Sequence, residues 1–176
     1  MNYSKIILWA CLAVTGSTLI SCGDAATANI GIRDSKPAPT GNVIQFKIDD
    51  DLVTSSGWNI SRFDMGQGVR MNITSNMHED KRTISFNING WTPGRYSLFS
   101  GARDAGTAYG DYKPDYNDML NAFGFEDGEI HIEKIDIEKG LVNASFFGTI
   151  TNGHEKHFIT EGKIINGKLR SGITKY

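Results

Sequence analysis

From position 42 onward, apolar and polar residues alternate with a period of two, the spacing of a strand whose successive side chains point to opposite faces. Ile44, Phe46 and Ile48 share one side of the run 42–49, opposite Val43, Gln45 and Lys47. Val69, Met71 and Ile73 oppose Arg70, Asn72 and Thr74, and Ile84, Phe86 and Ile88 oppose Ser85, Asn87 and Asn89. Further strands are predicted over 96–100, 129–136, 141–151, 156–165 and 168–173, with a weaker one near Trp58–Phe63. Asn89-Gly90, Asp127-Gly128, Lys139-Gly140, Asn152-Gly153 and Asn166-Gly167 punctuate the runs with residues that tolerate the positive φ of tight turns. The expected fold class is all-β: an antiparallel β-sandwich of about eight or nine strands, with a closed lipocalin-like barrel as the alternative. Only the stretch 115–123 lacks the alternation, and there Met119, Leu120 and Phe123 predict one short helical turn packed on an open end of the sandwich.

The first 41 residues follow a different pattern. Lys5 precedes an apolar run from Ile6 to Val14, far short of the roughly 20 residues a membrane-spanning helix needs, and so reads as a signal peptide. The segment ends in Leu19-Ile20-Ser21-Cys22, a small residue directly before a cysteine, which looks like a bacterial lipobox. Cleavage there removes residues 1–21, Cys11 included, and leaves Cys22 carrying the lipid, with no thiol free for a disulfide or a metal. Residues 22–41 are small, polar and interrupted by Pro37 and Pro39, as expected of a lipidated cysteine and a flexible tether, and 42–176 read as a single domain. The lipid bilayer is then the first partner, and the expected location is the outer membrane of a bacterial cell envelope, on either its periplasmic or its surface face. All 20 acidic residues follow Cys22, while one of the 18 basic ones, Lys5, leaves with the signal. That balance argues against nucleic acid and against an anionic lipid surface as partners.

In the last third of the chain, Gly128-Glu129-Ile130-His131-Ile132-Glu133-Lys134-Ile135-Asp136 is followed by Val142-Asn143-Ala144-Ser145-Phe146-Phe147-Gly148-Thr149-Ile150 and then by Ile159-Thr160-Glu161-Gly162-Lys163-Ile164-Ile165-Asn166-Gly167-Lys168-Leu169. This succession of strands and turns, with Asp136 and Gly140 at one turn, resembles a group of uncharacterised Bacteroidota lipoproteins with a β-sandwich domain behind a lipobox. The resemblance implies β architecture and an outer-membrane location. It brings no activity and no catalytic residues.

The densest polar and aromatic stretch is Tyr109-Gly110-Asp111-Tyr112-Lys113-Pro114-Asp115-Tyr116-Asn117-Asp118. Aromatic faces pack on sugar or peptide surfaces while carboxylates accept hydrogen bonds, so Tyr109, Asp111, Tyr112, Asp115, Tyr116 and Asp118 are the candidate ligand-binding residues. Trp91, in the turn 89–94, joins them as an aromatic platform if it lies at the same end of the sandwich; otherwise it caps the core. The stretch reads alternatively as a solvated connection whose tyrosines cover the core. Asp111, Asp115 and Asp118 also offer oxygen ligands to Ca²⁺, but their spacing fits no EF-hand loop, and no cofactor is expected. His154 and His157, three apart, point to opposite faces of a strand, and Glu129, His131 and Glu133 stand too far apart along one strand to converge on zinc. His78-Glu79-Asp80-Lys81-Arg82 reads as a solvated turn.

No Gly-x-Ser-x-Gly elbow, usable cysteine or phosphate-binding glycine loop is present, so no catalytic residue is assigned. The expected function is that of a membrane-anchored, non-enzymatic module that binds a glycan, a peptide or an envelope protein, or that assists envelope assembly. The alternative is a small envelope hydrolase acting on polysaccharide or peptide, drawing carboxylates from Asp111, Asp115, Asp118, Glu129 and Glu133.

Overall fold

A computed structural model of the chain describes residues 41–56, 58–64, 66, 68–75, 81–170, 172 and 174–175. The signal segment, Cys22, the tether up to residue 40 and the charged triplet His78-Glu79-Asp80 lie outside them. The described residues are all-β, with no helix and hence none long and apolar enough to cross a membrane. Eleven strands form: β1 (Val43–Ile48), β2 (Asp51–Ser55), β3 (Trp58–Asp64), β4 (Val69–Ser75), β5 (Thr83–Ile88), β6 (Gly94–Leu98), β7 (Thr107–Lys113), β8 (Phe123–Asp136), β9 (Leu141–Thr151), β10 (Lys156–Lys168) and β11 (Thr174–Lys175).

All eleven belong to one mixed sheet, in the order β11-β3-β4-β5-β7-β6-β8-β9-β10-β1-β2. The expectation of two stacked antiparallel sheets therefore gives way to a single sheet that curls. The residues just after β10 return to β3, where Leu169 bridges Ile60 and the Arg170 N–H donates to the Ile60 carbonyl at 2.8 Å. Two pairings are parallel, β6 with β7 and β11 with β3. β7 pairs directly with β8 at Tyr112–Phe123 and then diverges from it to admit the short β6 between them.

The alternation of apolar residues sets which face turns inward. Ile44 and Phe46, Met71 and Ile73, and Ile84, Phe86 and Ile88 are all buried, as their period-two spacing requires. Across the interior the rings make a continuous chain: Phe46 meets Tyr112 edge-on with centroids 6.0 Å apart, Phe46 meets Phe146 at 6.0 Å, Phe146 meets Phe86 at 4.8 Å and Phe86 meets Phe125 at 5.6 Å. Such contacts add about 0.5–1.5 kcal/mol each beyond the area they bury, and here they tie β1, β5, β7, β8 and β9 together.

Two expectations fail for identifiable reasons. Residues 107–113 form a regular strand, not an irregular loop. Its inward positions are Ala108, Gly110 and Tyr112, and at Gly110 the space a Cβ would fill is taken by the Ser85 carbonyl oxygen, 2.4 Å away, and by the Phe86 ring. A glycine in an inward slot hides the alternation. The helical turn expected over 115–123 is likewise absent: Pro114–Ala122 is a sequence of turns, and Phe123 already starts β8.

Candidate binding site

The strand registers divide the sheet into two ends. At one end lie the β7–β8 loop 114–122, the β1–β2 turn at Asp49-Asp50 and the β9–β10 turn 152–155, because Thr83 pairs with Lys113, Ile48 with Ile159 and Thr151 with Lys156. At the other lie the β8–β9 turn 137–140, the turn before β6, and residues 41–42, where the chain joins the sheet with the Asn42 N–H donating to the Asn166 carbonyl at 3.1 Å.

The β7–β8 loop owes its conformation to short polar side chains bonding to nearby backbone. The Asp115 carboxylate accepts from the Asn117 N–H at 2.9 Å, its carbonyl from the Asp118 N–H at 3.0 Å, and the Asp118 carboxylate from the Leu120 N–H at 3.1 Å. The loop is held to the β4–β5 connection by the Tyr116 N–H, which donates to the Lys81 carbonyl at 2.9 Å, and by a Lys81–Asp115 ion pair at 3.3 Å. The Asn117 N–H, together with Lys81, keeps the Asp115 carboxyl below the usual aspartate range, outweighing the opposing effect of partial desolvation. The same turns carry apolar side chains into solvent: Leu120 is 97% exposed, Met119 66% and Tyr116 47%. Sequence reasoning missed Met119 and Leu120 as surface residues, because their spacing to Phe123 imitates a core-facing helical turn. The signal that could have found them is the pair of aspartates, each two residues ahead of the N–H it caps.

The expected site residues divide between places. Tyr116 stands exposed on the loop beside the capping residues Asp115 and Asp118. Tyr109 is also exposed, on the outer face of β7 opposite Asn87. Asp111, on the same face, accepts a short hydrogen bond from Ser85 and lies 3.6 Å from the Lys113 ammonium. Tyr112 is not a surface residue at all: it is 3% exposed and packs between Phe46 and Phe123. Trp91 follows Ile88, which pairs with Ala108, so it sits beyond the end of β5 away from Tyr116, and six residues of strand, about 20 Å, separate the two. There it is half-buried under the Arg62 guanidinium, 4.5 Å above its ring. The four-membered aromatic platform is not formed.

The remaining titratable groups are mostly engaged locally. Glu129 pairs with Arg95 across the β6–β8 ladder. His157 lies edge-on to Phe123 and 2.8 Å from the Asp49 carboxylate. That carboxylate is held below its usual range first by the Phe158 N–H and then by His157. His154 is exposed in the β9–β10 turn. Asp111, Asp115 and Asp118 do not gather around a common point, and among the described residues no group of three His, Cys, Asp or Glu side chains is placed to hold a metal ion.

Comparison with protein-family models, with curated proteins and with solved structures finds no significant match.

Proposed function

We propose that this chain is a lipid-anchored, non-enzymatic binding module of the bacterial envelope that engages a protein or peptide partner through Tyr116, Met119 and Leu120. The observation that carries the reading is a leucine almost wholly in water, in a loop whose backbone is held by five hydrogen-bonding contacts to itself and to Lys81. An apolar side chain displayed on a rigid loop binds at small entropic cost, since little remains to be ordered when a partner closes over it. The loop lies at the end of the sheet away from residues 41–42, where the chain enters the sheet. An aliphatic tip suits a partner's apolar pocket better than the face of a sugar, which favours protein or peptide over glycan. The hydrolase reading requires an acid that keeps its proton, and Asp115, the most central carboxylate of the loop, is pushed the other way by Asn117 and Lys81.

Placing a photo-crosslinking amino acid at position 120 in cells tests this, with position 138 on the opposite turn as the control. A discrete adduct from 120 and none from 138 is expected; no adduct from 120 removes the loop as an interface. Metabolic labelling with a fatty acid, lost in Cys22→Ser, tests the anchor separately.

A further inference from the structure

Two irregularities of the sheet face each other across β9. On β8 the register slips between Ile132, opposite Ala144, and Lys134, opposite Asn143, so Glu133 is one residue too many. On β10 it slips between Ile164, opposite the same Ala144, and Gly167, opposite Val142, so Ile165 and Asn166 together face Asn143. Two β-bulges thus flank a single residue of the strand between them. A bulge bends its strand and re-aims the side chains beside it. The pair opens a groove of about 390 Å³ in the outer face of the sheet, lined by Glu133, Asn143, Lys163, Ile165 and Asn166. Asn166 adopts φ +49°, and its N–H donates to the Asn143 carboxamide oxygen at 2.6 Å, which fixes the amide of Asn143 and leaves its NH₂ group as a donor.

We propose that this groove is a binding site for a zwitterionic ligand of dipeptide size, independent of the loop interface. Its charged members are one carboxylate and one ammonium, and neither Glu133 nor Lys163 has an ion-pair partner among the described residues. Glu133 and Lys163 stand on the two strands either side of β9 and are not within ion-pair distance of each other. Two inter-strand steps and an offset of two residues, from Asn143 to Ser145, put their Cα atoms on the order of 12 Å apart. An extended dipeptide carries its two charged ends about 7 Å apart, and the glutamate and lysine side chains, reaching inward from either side, take up the difference.

The composition of the groove excludes other occupants. One carboxylate is too few for a hard cation. A phosphate would meet a carboxylate as well as its lysine. No aromatic face is present for a sugar ring. A dipeptide's ammonium matches Glu133, its carboxylate matches Lys163 and the Asn143 NH₂, and Ile165 offers an apolar wall to a side chain.

The test is titration of the full chain with alanyl-alanine, followed by calorimetry and by amide shifts of residues 143 and 166. Free alanyl-alanine should bind, while its N-acetyl and C-amide forms should bind about tenfold or more weakly, as loss of one charge-assisted contact implies. Glu133→Gln and Lys163→Met, both at the surface, should each weaken binding of the free dipeptide to a similar extent and leave the fold intact by circular dichroism, and Glu138→Gln should not. No binding at millimolar dipeptide, equal binding of the blocked forms, or unchanged binding in both groove variants overturns the proposal.

Discussion

The β7–β8 loop and the groove over Asn143 are surfaces made by opposite means. In the loop the bonds to backbone that shape the chain join residues two or three apart, apart from its tie to Lys81, and the result is a convex tip with Leu120 in water. In the groove the shaping contacts come from three strands, with Asn143 and Asn166 bonded 23 positions apart, and the result is a concavity with charge at both sides. The loop can change without disturbing the core beneath it. The groove cannot, because the strand that carries Lys163 is also the strand that packs Gly162 against Phe146. Local bonding makes a surface that is free to vary, and register slips make one that is tied to the stability of the fold.

That contrast sets the size of the following effects. Phe146→Ala should be the most damaging, at about 3–5 kcal/mol by denaturant unfolding, because the ring links Phe46 to Phe86 across the interior. Gly162→Ala comes next: a Cβ there would lie 2.5 Å from the Phe146 ring, and the expected cost is about 1–3 kcal/mol. The same variant should broaden or shift the amide signals of Asn143 and Asn166 while leaving those of Asn117 and Leu120 in place. Equal disturbance of both regions would break the comparison. Asn143→Ala should cost about 1 kcal/mol, since it removes the acceptor of the Asn166 N–H at a partly buried site, and should leave the melting curve cooperative.

Smaller still is the effect of pH on the loop. The Asp115 carboxyl binds its proton less readily in the folded chain than in the unfolded one. The stabilisation it provides is therefore present above the ordinary aspartate value of about 3.9, and it is lost as pH falls through the lower folded value. Carbon-detected NMR titration should show Asp115 titrating below that ordinary value, with the Asn117 amide shift following the same curve. A midpoint at or above it would contradict the capping role. Leu120→Ala should be the mildest change, within about 0.5 kcal/mol in unfolding, because the side chain is already in water, and its cost should appear only in partner binding.

Where one face of a strand is filled with large apolar side chains, the sequence is directly legible. Ile84, Phe86 and Ile88 announce a buried face and form one. Where the inward slot holds a glycine the signal fails, and Gly110 made a regular strand look like a loop and Tyr112, a core residue, look like a ligand contact. Leu120 failed in the opposite sense: its spacing suggested burial, yet no element of the sheet comes to cover it. The bulges at Glu133 and Ile165-Asn166 leave almost no mark on the chain, because an extra residue is defined only against the partner strand it fails to pair with.

Side-chain periodicity and turn residues act over a few positions, so the amino-acid order alone settled that the domain is built of strands and where most of them bend. Whether those strands stack as two sheets or continue as one, which residues meet across the interior, and that Glu133 and Lys163 face a common groove are relations between positions tens of residues apart. They depend on hydrogen-bond register and on the curling of the sheet over its aromatic core, and those are settled when the strands pair.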